Sequence, residues 1–172
     1  MSGEPFAVIL PGDVMFSDRS VLKTLVDLYE SHQAAAIALT GEPTAKPHES
    51  ESSIEGLWQS VCLGSGVYRL GPQALDEATT AAHLTIAGRL VLDPTFFDYV
   101  EPPDDDDVRH QLERTVRCYA KQNTVMGLLI HDKCVRVETR MDYLVATVEA
   151  GLRQPDVGVE FANYLSKVRD EN

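Results

Sequence analysis

Apolar and polar positions along this chain follow two periods. Phe6 to Leu10 is a short unbroken apolar run ending at Pro11-Gly12, which reads as a buried strand stopped by a turn. From Ser20 to Gln33 the residues Val21, Leu22, Leu25, Val26, Leu28 and Tyr29 recur at helical spacing, and Ser17, Asp18 or Ser20 can cap that helix. Ala34 to Leu39 is a second apolar run. Strand, helix and strand in this order predict a βαβ unit and a parallel sheet.

Residues 41–56 are polar and rich in Ser, Glu and Pro, the composition of a mobile loop. Leu57 to Leu63 and Gly66 to Leu70 read as short strands joined at Gly64-Ser65-Gly66. His83 to Leu92 is a strand with Leu84, Ile86, Leu90 and Leu92 on one face. Asp93-Pro94 opens a short helix through Phe96, Phe97 and Val100. The acidic run Asp104 to Asp107 precedes a helix that carries Val108, Leu112, Val116 and Tyr119 on one face, and its carboxylates suit the positive end of the helix dipole. Val125 to Ile130 is a further strand, with Lys133 to Val137 as its expected partner.

The last stretch, 139–172, is a helical tail of two amphipathic helices. Met141, Leu144, Val145, Val148 and Leu152 line the first; Val157, Phe161, Tyr164, Leu165 and Val168 line the second; Gln154-Pro155-Asp156 separates them. The fold class is α/β with C-terminal helices, and 172 residues fit a single domain over 1–172.

Composition narrows the partners. Acidic residues outnumber basic ones 27 to 15, for a net charge of −12, so nucleic acid and anionic membranes are poor partners. No apolar run has the length of a membrane span. Cys62, Cys118 and Cys134 form no CxxC or zinc spacing and read as thiols in a reducing compartment. With no basic, apolar leader at the N-terminus, the expected location is the cytoplasm.

Candidate chemistry is sparse. Asp13 lies just past the carboxyl end of the first strand, the edge where open α/β sheets bind ligands. A lone carboxylate there can hold Mg2+ that bridges substrate phosphates; it can equally just turn the chain after Pro11-Gly12. Asp104 to Asp107 suits a solvated helix start better than a metal site, because consecutive carboxylates cannot all point inward. His32, His48, His83, His110 and His131 show no metal or catalytic spacing. Gly64-Ser65-Gly66 is a weak phosphate cradle, because no helix starts there.

Several segments together resemble a known family. Pro5 to Asp13 (PFAVILPGD) resembles the "PFAVLLPDD" strand of bacterial UTP–glucose-1-phosphate uridylyltransferases (UDP-glucose pyrophosphorylases). Ala82 to Pro94 is similar to "SNLAIVGRYVLTP". Gln111-Leu112 falls where the family has "IQLTDAL", Tyr143 to Ala150 resembles "GYLKATVEFAL", and Gln154 to Phe161 is similar to "RPDLGEEF". The pieces stand in family order over nearly the whole chain.

The resemblance implies a Rossmann-like nucleotidyltransferase sheet, truncated at its N-terminal side. It also marks what differs. Nothing in these 172 residues resembles the glycine-rich loop "AGxGTRxxPxTK" that wraps the nucleotide phosphates. The family's "VEKP", whose Glu and Lys hold the sugar phosphate, falls on Tyr68 to Pro72, where Arg69 is the sole charge. In the segment matching "YDxGxKxGYL" the Asp becomes Arg136, the Gly becomes Glu138 and the Lys becomes Arg140. Asp13 persists as the second acid of the "DD" pair, with Gly12 in the place of the first.

Three expectations follow. The first is a pseudoenzyme, a non-catalytic subunit or modulator in nucleotide-sugar metabolism that is inactive alone. It would associate as a homo-oligomer or with a full-length uridylyltransferase relative, because the strand Phe6 to Leu10 offers an open edge. The second is a nucleotidyltransferase or UDP-glucose binder that uses Asp13 with Mg2+ and Arg140 at the ligand. The third is a decayed chain whose fold outlives its function.

Overall fold

The computed structural model describes residues 3–17, 19–42, 57–58, 60–71, 82–102 and 108–171. Residues 43–56 of the expected loop, Pro72 and the acidic run Asp104 to Asp107 lie outside the described residues. The elements in chain order are β1 (Phe6–Ile9), β2 (Asp13–Phe16), α1 (Val21–His32), β3 (Ala35–Glu42), β4 (Leu57–Trp58), β5 (Ser60–Gly64), β6 (Val67–Leu70) and β7 (Ala82–Leu92). A 3-10 helix (Pro94–Tyr99) follows, then α2 (Val108–Ala120), β8 (Val125–Leu129), β9 (Lys133–Arg136), α3 (Arg140–Leu152) and α4 (Gly158–Glu171). Within the span read as one domain, the chain packs as two compact units, residues 1–10 with 17–131 and residues 11–16 with 132–172.

The first unit is built on a mixed sheet in the order β1-β7-β3-β8-β6-β5, with β4 also beside β7. The parallel sheet read from the opening βαβ pattern is corrected here. β1 and β3 run in the same direction, but antiparallel β7 lies between them and pairs with both. Among the described residues only β3 and β8 pair in parallel, from Ala35↔Val125 to Leu39↔Leu129. A βαβ pattern fixes the direction of two strands, not their adjacency, and β7 is long enough to serve both neighbours. The hairpin β5–β6 closes through Ser65 and Gly66, both at positive φ, as a two-residue hairpin loop requires.

The alternation seen in the sequence of β7 is the core face. Leu84, Ile86, Leu90 and Leu92 are buried with Ile37 and Leu39 of β3, Leu70 of β6, Val125 of β8 and Val116 of α2. α1 contributes Leu25 and is capped by Ser20, whose side chain accepts from Lys23 N. α2 buries Val116, Tyr119 and Ala120, while Val108, its first residue, is exposed.

The second unit joins β2 to β9, antiparallel, with Asp13 opposite Arg136 and Phe16 opposite Lys133. The expected pairing of Lys133 to Val137 with Val125 to Ile130 is therefore overturned. β8 already has β3 on one edge and β6 on the other, so β9 finds its partner in Asp13 to Phe16, a stretch in which the sequence reading places no strand. Val137 N extends the ladder by donating to Gly12 O at 2.8 Å.

α3 starts at a capping box in which Thr139 and Asp142 satisfy each other's backbone N–H groups. It packs on α4 where Phe161 lies over Gly151. Of the apolar faces read from the sequence, Val145, Val148, Phe161 and Leu165 are half-buried. Met141, Leu144, Val157 and Tyr164 are exposed instead. Among the described residues no helix is long and apolar enough to cross a membrane.

Candidate functional site

Asp13 opens β2 and is 1% exposed. A carboxylate leaves water only where other groups replace its hydration. Here Nε of Arg136 lies 3.8 Å from Asp13 Oδ1, and the same Nε lies 3.8 Å from Glu138 Oε1. The antiparallel register sets this up, since Asp13 and Arg136 are Cα partners across the ladder. The sequence marks both positions, Asp13 as a candidate ligand and Arg136 as a departure from the family pattern. That they face each other follows only from the strand pairing.

A magnesium ion keeps several of its waters and needs one or two carboxylates that are open to it and not already facing a cation. Among the described residues no group of three or more His, Cys, Asp or Glu side chains comes together. Arg136 sets a guanidinium against Asp13, a group that donates and cannot ligate a cation. The residues present do not fit the ion.

Arg140 is the first residue of α3, directly after the Thr139 cap, and is exposed. The turn between Arg136 and α3 holds it in the same unit as Asp13. A cation on the first turn of a helix gains nothing from the dipole. Further along α3, Glu149 pairs with Lys133, and its carboxyl is held below its ordinary range chiefly by that hydrogen bond. Arg153 lies 5.2 Å over the ring of Phe16.

Arg69 belongs to the other unit. Its neighbours Tyr68 and Leu70 point into the core, and Arg69 lies on the opposite face of β6. There it lines a cavity of about 690 Å³ together with His32, Asp93, Tyr119, Gln122 and Asn123. Asp93 caps the 3-10 helix through Thr95 N at 2.9 Å and accepts from the phenol of Tyr119. Burial raises its pKa, but the hydrogen bonds from Thr95 and Tyr119 outweigh that and leave it below the ordinary aspartate value. Burial, then the bond to Asp93 and its charge, push the Tyr119 phenol up. Asn123 Nδ2 donates to Tyr99 Oη at 3.0 Å, which fixes the rim. Sequence reading finds Asp93 only as a helix start and Tyr119 only as core; their meeting has no local signal.

The turn Gly64-Ser65-Gly66 is a plain hairpin loop. A Cβ on Gly66 would stand 3.5 Å from His131 Nε2 and from Leu129 O. The cysteines Cys62, Cys118 and Cys134 are free thiols.

No protein-family model matches the chain. In sequence it is similar to the UTP–glucose-1-phosphate uridylyltransferase of Staphylococcus epidermidis, with 24% identity over 173 residues, covering 98% of this chain and 58% of that protein. A Bacillus subtilis relative is 28% identical over 147 residues, which are 83% of this chain and 52% of its own. Among solved structures, apo UDP-glucose pyrophosphorylase matches with a TM-score of 0.65 and 25% identity, over 86% of this chain and 54% of its own. A UDP-glucose pyrophosphorylase complexed with UDP-glucose gives the same TM-score and identity, over 88% and 57%. The UTP-bound enzyme of Acinetobacter baumannii, at 20% identity and a TM-score of 0.66, shares the fold. The α/β sheet is thus of the Rossmann-like nucleotidyltransferase kind. In sequence and in fold the chain is a homologue of the UTP–glucose-1-phosphate uridylyltransferases that spans somewhat more than half of their length.

Proposed function

We propose that the chain is a uridylyltransferase-like, non-catalytic subunit of nucleotide-sugar metabolism. Its ligand class is a nucleotide sugar, and alone it has no pyrophosphorylase activity. The observation that carries this reading is the pairing of Arg136 with Asp13. The family pattern puts an acid at the position of Arg136, so the scaffold is kept while the charge at a functional position is reversed. Two further changes point the same way. The "VEKP" position offers Arg69 as its one charge, and Arg140 stands where the pattern has lysine, a substitution that is not neutral at a phosphate. Nucleotidyl transfer needs preorganised positive charge around a triphosphate, and no segment of these 172 residues resembles the loop that supplies it.

Support for the ligand class comes from the matching enzyme that is complexed with UDP-glucose. Support for association comes from β1, which ends the described sheet with β7 on one side. An edge strand of this kind accepts a partner strand, from a second copy or from a full-length relative.

The test pairs a calorimetric titration of the 172-residue chain with UDP-glucose and an assay for UTP release from UDP-glucose and pyrophosphate. The expected result is a binding heat without UTP release. Release of UTP by the isolated chain would overturn the non-catalytic reading, and absence of heat would overturn the ligand class.

A further inference from the structure

Asp13 and Glu138 are two carboxylates that converge on one positive atom group. Asp13 Oδ1 and Glu138 Oε1 each lie 3.8 Å from Nε of Arg136. Asp13 is buried and Glu138 is 64% exposed at its side chain, so the pair reaches from the strand interface out to solvent. The spacing is set by the fold. Arg136 ends β9 opposite Asp13, the bond from Val137 N to Gly12 O locks that end of the ladder, and Glu138 follows two residues later. Glu138 N in turn donates to Asp142 Oδ2 at 3.2 Å, which holds the turn before α3.

Two carboxylates around a shared cation is also how a divalent ion is held. Here the cation is covalent. A guanidinium stays charged at every working pH, and a second cation brought against the same carboxylates meets its repulsion at close range. We propose that Arg136 is a built-in counterion that takes the position a divalent ion would occupy between Asp13 and Glu138, so that this unit neutralises its buried carboxylate without metal. This rests on the uridylyltransferase-like reading only for its consequence, namely that any nucleotide-sugar binding by the chain survives chelation. The exclusion of metal rests on the local geometry alone.

The probe is Mn2+ alone, without nucleotide sugar, titrated into the full 172-residue chain and followed by the paramagnetic signal of free ion. The wild-type chain is expected to leave the ion free up to millimolar concentration. Arg136→Gln, which removes the cation and keeps both carboxylates, is expected to bind Mn2+ at least tenfold more tightly than wild type. That gain is expected to vanish in Arg136→Gln with Asp13→Asn. Arg136→Lys, which keeps a cation, should behave as wild type. One Mn2+ bound by the wild-type chain and lost in Asp13→Asn would overturn the proposal. So would a folded Arg136→Gln that binds no more tightly than wild type. The wild-type titration remains decisive if the glutamine variant fails to fold. Because no nucleotide sugar is present, failure here is separate from failure of the proposed function.

Discussion

The phenol of Tyr119 on α2 donates to the carboxylate of Asp93, the residue that follows β7 and caps the 3-10 helix. One carboxylate thus ties together a strand end, a helix start and a second helix. The Tyr119 ring packs 5.6 Å from Phe96 and 5.2 Å from Tyr99. Tyr119→Phe keeps those ring contacts and removes only the bond to Asp93. A hydrogen bond to a charged group contributes about 1.5–3 kcal/mol, so the variant should lose about that much unfolding free energy in a urea titration. An unchanged midpoint would mean that water replaces the phenol at no cost.

Stability should fall on the acid side, and the sign follows from three carboxylates. Asp93, Asp142 and Glu149 all have folded-state pKa values below their ordinary ones of 3.8, 3.8 and 4.5. A carboxylate with a depressed folded value contributes stability above its unfolded pKa and loses it as pH falls through the folded one. These groups therefore contribute no pH dependence between neutrality and about pH 5. Below that the melting temperature should drop. Asp93→Asn should flatten part of the acid limb, measured by thermal melts across the pH series. Asp142 is a half-buried part of the α3 cap, and Asp142→Asn should flatten a further part of the limb.

Two glycines separate a required backbone from an incidental one. Gly71 sits at φ +132°, and a Cβ there would stand 2.9 Å from Asn123 O and 3.1 Å from Ala120 O. Both are main-chain atoms that cannot step aside. Gly71→Ala should cost about 1–3 kcal/mol from backbone strain alone. Gly12, which stands where the family has an acid, would place its Cβ 3.5 Å from Val137 O, an ordinary contact. Gly12→Ala should cost under about 1 kcal/mol in the same denaturation experiment. A large loss at Gly12 would mean that packing, not lost chemistry, put glycine there.

The elements were legible in the sequence where the signal is local. Ser20 caps α1, Asp93-Pro94 opens the 3-10 helix, and the alternation of Leu84, Ile86, Leu90 and Leu92 marks the buried face of β7. Adjacency was not legible. Nothing in Phe6 to Leu39 says that β7 will enter between β1 and β3, because that choice is made by residues far along the chain. The site was hidden for the same reason. Asp13 after Pro11-Gly12 reads as a ligand at a strand edge or as a turn residue, and only the pairing of β2 with β9 buries it opposite Arg136. The family pattern showed that Arg136, Glu138 and Arg140 depart from it. It did not show that one of the three, Arg136, lies between the acid that persists, Asp13, and a second of the three, Glu138.

Association is expected to run along β1. This strand ends the described sheet, pairs with β7 from Phe6↔Leu92 to Ile9↔Arg89, and leaves Ile9 52% exposed. Its paired side is held firmly, since Leu10 N donates to Gly88 O and Arg89 Nη1 donates to Leu10 O at 3.0 Å. A lysine on an edge strand is a device by which sheets refuse a partner, because pairing would bury or crowd its charge. Ile9→Lys should therefore weaken self-association at least tenfold in sedimentation equilibrium while leaving the far-ultraviolet dichroism unchanged. Leu144, 57% exposed on α3, provides the contrast. If Leu144→Glu dissociates the assembly and Ile9→Lys does not, the contact runs through the C-terminal helices and the edge-strand account fails. A wild-type chain that stays monomeric at every concentration would leave β1 with no copy of itself to pair with, and the full-length relative would then be the partner to titrate.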